Sequence, residues 1–400
     1  MANRQYYWYQ NNTQQDKTDT SYVDVATLTF TPDANANYMI YCSFTVWTGS
    51  TSYNSYVRLY DYTGSATKQE SIKVFSNSAD IIQQHFMIVL SAGSSPSSQT
   101  YKIQVHTDSG GTVSIDQINF IALRLESGDV FNSSVTESST TTVGTLYSKV
   151  TVDAGSTGYF CTITSCTIYT SSKSTSIIDS LILINTTGQS PLDRVVTTST
   201  TDRFMAGGHR IDNITNSTYD LGILYRLYSG AQMSIKDAWV VGLKLDNFND
   251  WIGGESDPGT NITDTTITVY AANTLAKIKP KTPLLVFFSS SISIYSSTYG
   301  GKTAGLIYDG STYYYATYLF RHASIDDIIP AHGMTLVSQT TTGRWSDMML
   351  GFAVENSSRS ESIRYLKFIA LVLTEPLATV DAVQDGTHID IDWEEQLGGS

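Results

Sequence analysis

Apolar and polar residues alternate in short stretches along the chain, as in Tyr56-Val-Arg-Leu-Tyr60, Tyr101-Lys-Ile-Gln-Val105 and Ser291-Ile-Ser-Ile-Tyr295. A period of two puts every second side chain on one face, which is the signature of a half-buried β-strand. Runs rich in Thr, Tyr, Val and Ile are broken at short intervals by turn residues: Thr63-Gly64, Asp108-Ser-Gly-Gly111, Thr187-Gly188 and Asp309-Gly310. β-Branched and aromatic residues suit a pleated sheet, and Gly, Asn, Asp and Ser suit the turns between strands. Helical periodicity is nearly absent. Asp80-Ile-Ile-Gln-Gln-His-Phe86 and Ser324-Ile-Asp-Asp-Ile-Ile329 read as single helical turns or loops.

The pattern also repeats on a larger scale. Ser114-Ile-Asp-Gln-Ile-Asn-Phe-Ile-Ala-Leu-Arg-Leu125, Ser234-Ile-Lys-Asp-Ala-Trp-Val-Val-Gly-Leu-Lys-Leu245 and Ser362-Ile-Arg-Tyr-Leu-Lys-Phe-Ile-Ala-Leu-Val-Leu373 align without a gap. Phe120, Ala122 and Leu123 and their counterparts are too apolar for an exposed edge, so each segment is expected to be a central strand packed on both faces. An upstream anchor is read at Phe30-Thr31-Pro32, Val150-Thr151-Val152 and Ile278-Lys279-Pro280, with 83 residues from Thr31, Thr151 and Lys279 to the following Ser114, Ser234 and Ser362. A period of 120 and then 128 residues exceeds that of solenoid and propeller units and matches a free-standing domain.

The fold class expected is therefore all-β: three tandem jelly-roll-like antiparallel β-sandwich domains. Many short strands without the Cys-Trp-Cys spacing of an immunoglobulin domain favour that sandwich type. The division expected is an N-terminal aromatic arm at 1–20, sandwiches at 21–127 and 128–247, a linker plus third sandwich at 248–375, and an acidic tail at 376–400. The linker is read in Asp246-Asn-Phe-Asn-Asp-Trp-Ile-Gly-Gly-Glu-Ser-Asp-Pro258-Gly.

Composition narrows the partners. Hydrophobic residues make up 41% of the 400 residues, enough for a core in each unit. Asp and Glu outnumber Lys and Arg by 37 to 24, a net charge of −13, so no basic stripe is on hand for nucleic acid or for an anionic membrane. The longest unbroken apolar run, Leu284-Leu-Val-Phe-Phe288, is far short of the ~20 residues of a membrane-spanning helix. Met1 to Tyr9 lacks the basic-then-apolar layout of a secretory signal, so the chain is expected to be made and finished in the host cytoplasm. Cys161 and Cys166, five apart on one strand, would face opposite sides with Cα atoms ~16 Å apart, too far for a disulfide. With Cys42 they read as small buried apolar residues, and the Asn-x-Ser/Thr triplets at Asn185, Asn213, Asn216 and Asn261 as chance matches.

Catalytic chemistry is sought and little is found, so no catalytic residue, cofactor or metal is expected. His388, Asp390, Asp392 and Glu394 would share one strand face and are suitable metal ligands. A solvated edge strand carrying protective charge is the plainer reading of the four. Asp246, Asp250, Glu255 and Asp257 lack calcium-loop spacing, and Gly300-Gly-Lys-Thr303 has Ser296 where a phosphate loop needs glycine. The six histidines are scattered, and no two are read at an equivalent place in the repeats. Two aromatic groups remain. Tyr6, Tyr7, Trp8 and Tyr9 form either a docking arm for a neighbouring protein or the first strand of the first repeat. Tyr313, Tyr315 and Trp345 would make a platform for sugar rings, or else core and cross-strand pairs.

With its N-terminus Met-Ala-Asn-Arg-Gln-Tyr-Tyr-Trp-Tyr-Gln-Asn-Asn-Thr, the stretch Leu28-Thr-Phe-Thr-Pro-Asp-Ala-Asn-Ala-Asn-Tyr38 and its Thr, Ser and Tyr content, the chain resembles virion structural proteins of tailed bacteriophages and similar prokaryotic viruses. The resemblance implies tandem β-domains that decorate capsids or build spikes, fibres and tail tips, often as trimers or pseudo-trimers. It points to a non-enzymatic capsid decoration or auxiliary protein on the virion surface, contacting the major capsid protein or other virion proteins. The homo-oligomer would be a trimer, or a pseudo-trimer would lie within one chain. The alternative is a tail-fibre or spike adhesin binding host surface glycans.

Overall fold

The computed structural model describes residues 4–50, 52–74, 82–170, 176–185, 187–197, 202–248, 251–256, 261–262, 268–273, 284–294, 301–308, 313–321, 328–337, 348–352 and 361–373. Apart from one 3-10 turn at Leu245–Asn247, the regular structure of these residues is β-strand. The strands fall into three sets of nine.

The first set is β1 (Tyr6–Asn11), β2 (Gln15–Lys17), β3 (Val23–Phe30), β4 (Asn37–Trp47), β5 (Asn54–Asp61), β6 (Ala66–Val74), β7 (Ile82–Ser91), β8 (Gln99–Thr107) and β9 (Val113–Leu125). The second is β10 (Val130–Ser134), β11 (Ser138–Thr140), β12 (Tyr147–Asp153), β13 (Gly158–Tyr169), β14 (Ser176–Ile184), β15 (Thr187–Thr197), β16 (Arg203–Ile214), β17 (Asp220–Ser229) and β18 (Met233–Lys244). The third is β19 (Trp251–Ser256), β20 (Asn261–Ile262), β21 (Thr268–Asn273), β22 (Leu284–Ile294), β23 (Gly301–Tyr308), β24 (Tyr313–Arg321), β25 (Ile328–Val337), β26 (Met348–Phe352) and β27 (Glu361–Val372).

Strand pairing follows the same order in each set. The first sheets run β1-β9-β4-β7, β10-β18-β13-β16 and β19-β27-β22-β25, with β2, β11 and β20 also pairing on β9, β18 and β27. The second sheets run β3-β8-β5-β6, β12-β17-β14-β15 and β21-β26-β23-β24. All these ladders are antiparallel. Even their irregularities coincide. The register slips after Ser43, Ser165 and Ser289 where β4, β13 and β22 meet β9, β18 and β27. Within two of those bulges Gln117 and Asp237 hold φ of 52° and 48°, uncommon for residues other than glycine.

Register also decides which sequence anchors are equivalent. Opposite Ser43, Ser165 and Ser289 stand Asn119, Trp239 and Lys367, so the downstream alignment holds residue for residue. The upstream anchor does not. The bulge in each first-listed strand of the second sheets aligns Ala26 with Val150 and Ala271, whereas Phe30 sits at the far end of β3. The shared spacing of 83 residues is thus a coincidence of sequence, because loop lengths differ between the sets.

The sets are not separate beads. β16 meets β6 through Arg203 and Ile72, so the first sheet of set two continues into the second sheet of set one. In the same way β15 meets β25 through Arg194 and Ile328. The third join brings β24 against β7. Each first sheet therefore leans its last strand on the second sheet of another set, in a cyclic order.

Three apolar clusters match this layout. One fills the sandwich of set one around Leu28, Tyr38, Phe44, Leu59, Phe86, Ile103 and Phe120. Another fills that of set two around Phe160, Ile168, Ile182, Leu221, Ile223 and Val240. The remaining cluster lies outside both sandwiches and takes residues from all three sets. Strand β9 shows why its segment is so apolar: Phe120 and Ala122 face the sandwich of set one, while Ile121 and Leu123 face the shared cluster.

The strands bear on three local expectations. Ile82 to Phe86 belongs to β7 and is no helical turn; both its faces are buried, which erases the alternation a strand normally shows. The stretch read as a linker contains β19, paired with β27 from Trp251–Leu371 to Ser256–Leu366. Its Gly253 lies where a Cβ would come within 2.3 Å of Ile211 Cδ1, so glycine permits the close approach. The N-terminal segment supplies β1 and β2, which occupy the places of β10 and β11 and of β19 and β20. Ser324–Asp327, Asp309-Gly310, the anchor Ile278-Lys279-Pro280 and the tail at 376–400 lie outside the described residues. No helix among the described residues is long and apolar enough to cross a membrane.

Candidate functional site: the joint between three sheets

The shared cluster is built from the outer faces of the three first sheets. From β4, β13 and β22 come Met39 and Tyr41, Cys161 and Ile163, Leu285 and Phe287. From β9, β18 and β27 and the residues that end them come Ile121, Leu123 and Leu125, then Val241, Leu243 and Leu245, then Ile369, Leu371 and Leu373. Pairing register makes each of these a set of equivalents. Leu123, Leu243 and Leu371 are fully buried, so three chemically matched surfaces close on one another. Tyr41 meets Phe287 edge to face with ring centroids 5.4 Å apart.

Polar groups at the joint fix its register. Ser43 Oγ donates to the carbonyl of Met334 and accepts from the Met334 N–H, both at 3.1 Å. Gln69 Nε2 donates to the Asp237 carbonyl at 2.9 Å, and Gln69 Oε1 accepts from the Met87 N–H at 2.7 Å. Ser71 Oγ donates to Gln84 Oε1 at 3.0 Å, and that oxygen also accepts from the Met205 N–H at 3.2 Å. These side chains tie set one to sets two and three. Buried amides satisfied on both sides hold one arrangement, because any other would strand a desolvated polar atom.

Three histidines also line the joint. His85, His209 and His332 sit on β7, β16 and β25, strands that hold the same place in their sets, and are 2%, 2% and 3% exposed. His85 lies opposite Ser43 and His332 opposite Ser289, so these two occupy one equivalent position, which Gly207 fills in set two. That overturns the reading that no histidine recurs. His209 stands two residues on, where sets one and three have Met87 and Met334. The rings of His85 and His332 meet edge to face at 5.9 Å, Tyr41 stacks on His85 at 5.8 Å, and His209 tilts against Phe287 at 6.2 Å. Burial, reinforced by the neighbouring His332, pushes the His85 imidazole down to about 3. Burial, with His332 and the Lys367 ammonium nearby, holds His209 well below the ordinary histidine range. Both are therefore neutral at neutral pH. No group of three or more His, Cys, Asp or Glu among the described residues is placed to hold a metal ion.

The aromatic residues singled out in the sequence are dispersed. Tyr6 is 1% exposed and belongs to the joint, while Tyr7 stacks on Phe30 at 5.0 Å inside the first sandwich. Trp8 and Tyr9 are half-buried and pack against the joint and the first sandwich respectively. All four pair with β9, so they sit where the first-strand reading puts them. Tyr313 and Tyr315 lie on β24, paired with Tyr308 and Leu306, and Trp345 lies outside the described residues. So do His388, Asp390, Asp392, Glu394, Asp250 and Asp257.

A different aromatic group went unnoticed in the sequence. On the outer face of the sheet β3-β8-β5-β6, His106 stacks on Tyr56 at 4.0 Å and meets Tyr22 edge-on at 4.4 Å, and Arg58 covers the Tyr22 ring at 3.7 Å. Tyr22 donates to Glu70 at 2.5 Å, and Arg203 of the second set pairs with the same carboxylate at 2.5 Å. The alternation of Tyr56, Arg58 and Tyr60 was the one available signal; the partners come from distant strands.

No protein-family model matches the chain, and no curated protein matches it. Among solved structures, it is similar to an archaeal-virus protein described under the triple jelly roll fold and turret assembly, at 9% identity over 94% of this chain and 91% of that one, TM-score 0.21. A second is from Sulfolobus Turreted Icosahedral Virus, at 8% identity over 92% of each chain, TM-score 0.19. A third is the N-terminal CBM22-1-CBM22-2 tandem domain of Paenibacillus barcinonensis Xyn10C, at 11% identity over 60% of this chain and 93% of that one, TM-score 0.18. With TM-scores this far below 0.5, these likenesses carry no functional information about this chain.

Proposed function

We propose that the chain is a non-enzymatic structural protein of a virion, acting at the particle surface as a capsid decoration or auxiliary protein. The observation that carries this reading is the joint: three equivalent sheets close on one buried cluster while their edges run into each other's partner sheets. Each nine-strand set is then a jelly-roll-like sandwich domain, and the single chain does the work of a trimer. Sheet sharing covers edges that would otherwise template unwanted pairing, and it stiffens the unit. A stiff plate with few long charged side chains loses little rotamer entropy when its surface is buried against the major capsid protein or another virion protein.

The alternative is an adhesin that binds host surface glycans through exposed aromatic rings, of which Tyr62, Tyr159 and Tyr228 are examples among the described residues. Purification of particles from the source tests the proposal. The chain should remain with intact particles through a density gradient at constant stoichiometry, and should behave in isolation as a 43.9 kDa monomer by light scattering. Loss from particles in the gradient would overturn the virion role. A trimer in solution would overturn the pseudo-trimer.

A further inference from the structure

The cluster at the centre of the joint is apolar, and His85 and His209 lie against its Tyr41 and Phe287 rings. An imidazole in such a place is tolerated because it is neutral, and a proton on it would be a charge sealed between three sheets. His332 lies 5.9 Å from His85 and disfavours a proton there. A hydrogen bond to the Thr164 carbonyl eases a proton on His85 without outweighing its burial, whereas three titratable groups turned toward the cluster do not. Tyr41 on β4 is a phenol that burial pushes up, Cys161 on β13 a thiol that burial pushes up, and Lys367 on β27 already a cation. Asp212 and Arg210 on β16, beyond Cys161, are paired with each other at 2.8 Å. On β7 the sandwich side is taken by Phe86 and Ile88 and on β16 by Phe204 and Ala206, so His85 and His209 lie on the opposite faces of those strands.

We propose that His85 and His209, with His332 packed against His85, form an acid-sensitive latch, in which protonation of His85 and His209 parts the three first sheets at the joint while the sandwiches keep their own cores. The direction follows from proton counting. In the open state His85 and His209 return to their ordinary value of about 6.5, so below that the open state binds more protons than the closed one. The closed joint is at full strength above about pH 6.5 and weakens as pH falls toward about 3, where His85 titrates in the closed form. For each histidine involved, the opening constant rises about tenfold per pH unit across that window.

Hydrogen exchange on the intact chain between pH 7.5 and 4.5, corrected for intrinsic exchange chemistry, reads this directly. Peptides from β7, β16 and β25 should open progressively faster relative to those from β5 and β8, which line only the first sandwich. His209→Met installs the side chain that Met87 and Met334 already place at the equivalent positions, and should lower the slope by one proton, about tenfold less opening per pH unit. His85→Gln should do the same. An unchanged slope in both variants would overturn the latch. So would joint and sandwich strands of the unmodified protein opening together at every pH, a comparison that needs no variant.

Discussion

Arg4 and Asp129 form an ion pair at 2.8 Å with side chains only 2% and 0% exposed. Arg4 also donates to the Arg124 carbonyl and lies 4.1 Å over the Phe248 ring. Asp129 accepts from the N–H groups of Glu126 and Lys244, both at 2.8 Å. One carboxylate thus binds the chain start, the turn between sets one and two and the end of β18. Asp129→Ala would leave a buried guanidinium without its partner, at a cost of about 3–5 kcal/mol. Urea unfolding should show this, whereas Asp33→Asn, which breaks the half-exposed pair with Arg124, should cost less than about 1 kcal/mol. Equal effects would refute the assignment.

Leu123, Leu243 and Leu371 are fully buried in one cluster. Leu123→Asp, Leu243→Asp and Leu371→Asp should each destabilise the protein by well over ~3 kcal/mol by sealing an unpaired carboxylate in an apolar site. Because the site is common, each should raise protease sensitivity in all three sets. Near-normal melting of any one would break the equivalence drawn between β9, β18 and β27.

Gly207 stands where a Cβ would come within 2.2 Å of the Thr164 carbonyl oxygen, at φ of +148°. Gly207→Ala must push β16 off β13, and a loss above about 2 kcal/mol is expected. Gly49, at φ of +62° with nothing near, bears only backbone strain, so Gly49→Ala should cost about 1–2 kcal/mol. Thermal melting of the pair separates contact from strain.

Cys42, Cys161 and Cys166 are buried and form no disulfide, and burial pushes the thiols of Cys42 and Cys161 up. Thiolate is the reactive form, so a colorimetric thiol reagent should find none of the three in the native protein at pH 8 and all three in denaturant. Rapid labelling of the folded chain would contradict the packing of β4 and β13.

The strands with alternating patterns, and the apolar segment that became β9, β18 and β27, were legible in the sequence because burial on one face, or fully on two, leaves a direct mark. The joint was not. Ile82-Gln-Gln-His-Phe86 reads as irregular because Gln83, Gln84 and His85 are polar yet buried, with Gln84 accepting from Met205 of the second set and His85 packed against His332 of the third. Polar residues that serve a contact hundreds of residues away look, in sequence, like solvent-facing ones. The recurrence of His85 at His332 was hidden for a related reason. Loop lengths differ between sets, so equivalence on β7 and β25 emerges only from pairing with Ser43 and Ser289. Tyr6 to Tyr9 left two readings open because an edge strand and a docking arm share one composition; pairing with β9 is what distinguishes them.

Cryo-electron microscopy of intact particles from the source tests the central claim most directly. Each chain should occupy one compact three-lobed density on the particle surface, its lobes joined at a common centre and each contacting the shell or a neighbouring virion protein. Three lobes strung apart, or particles without this density, would contradict it.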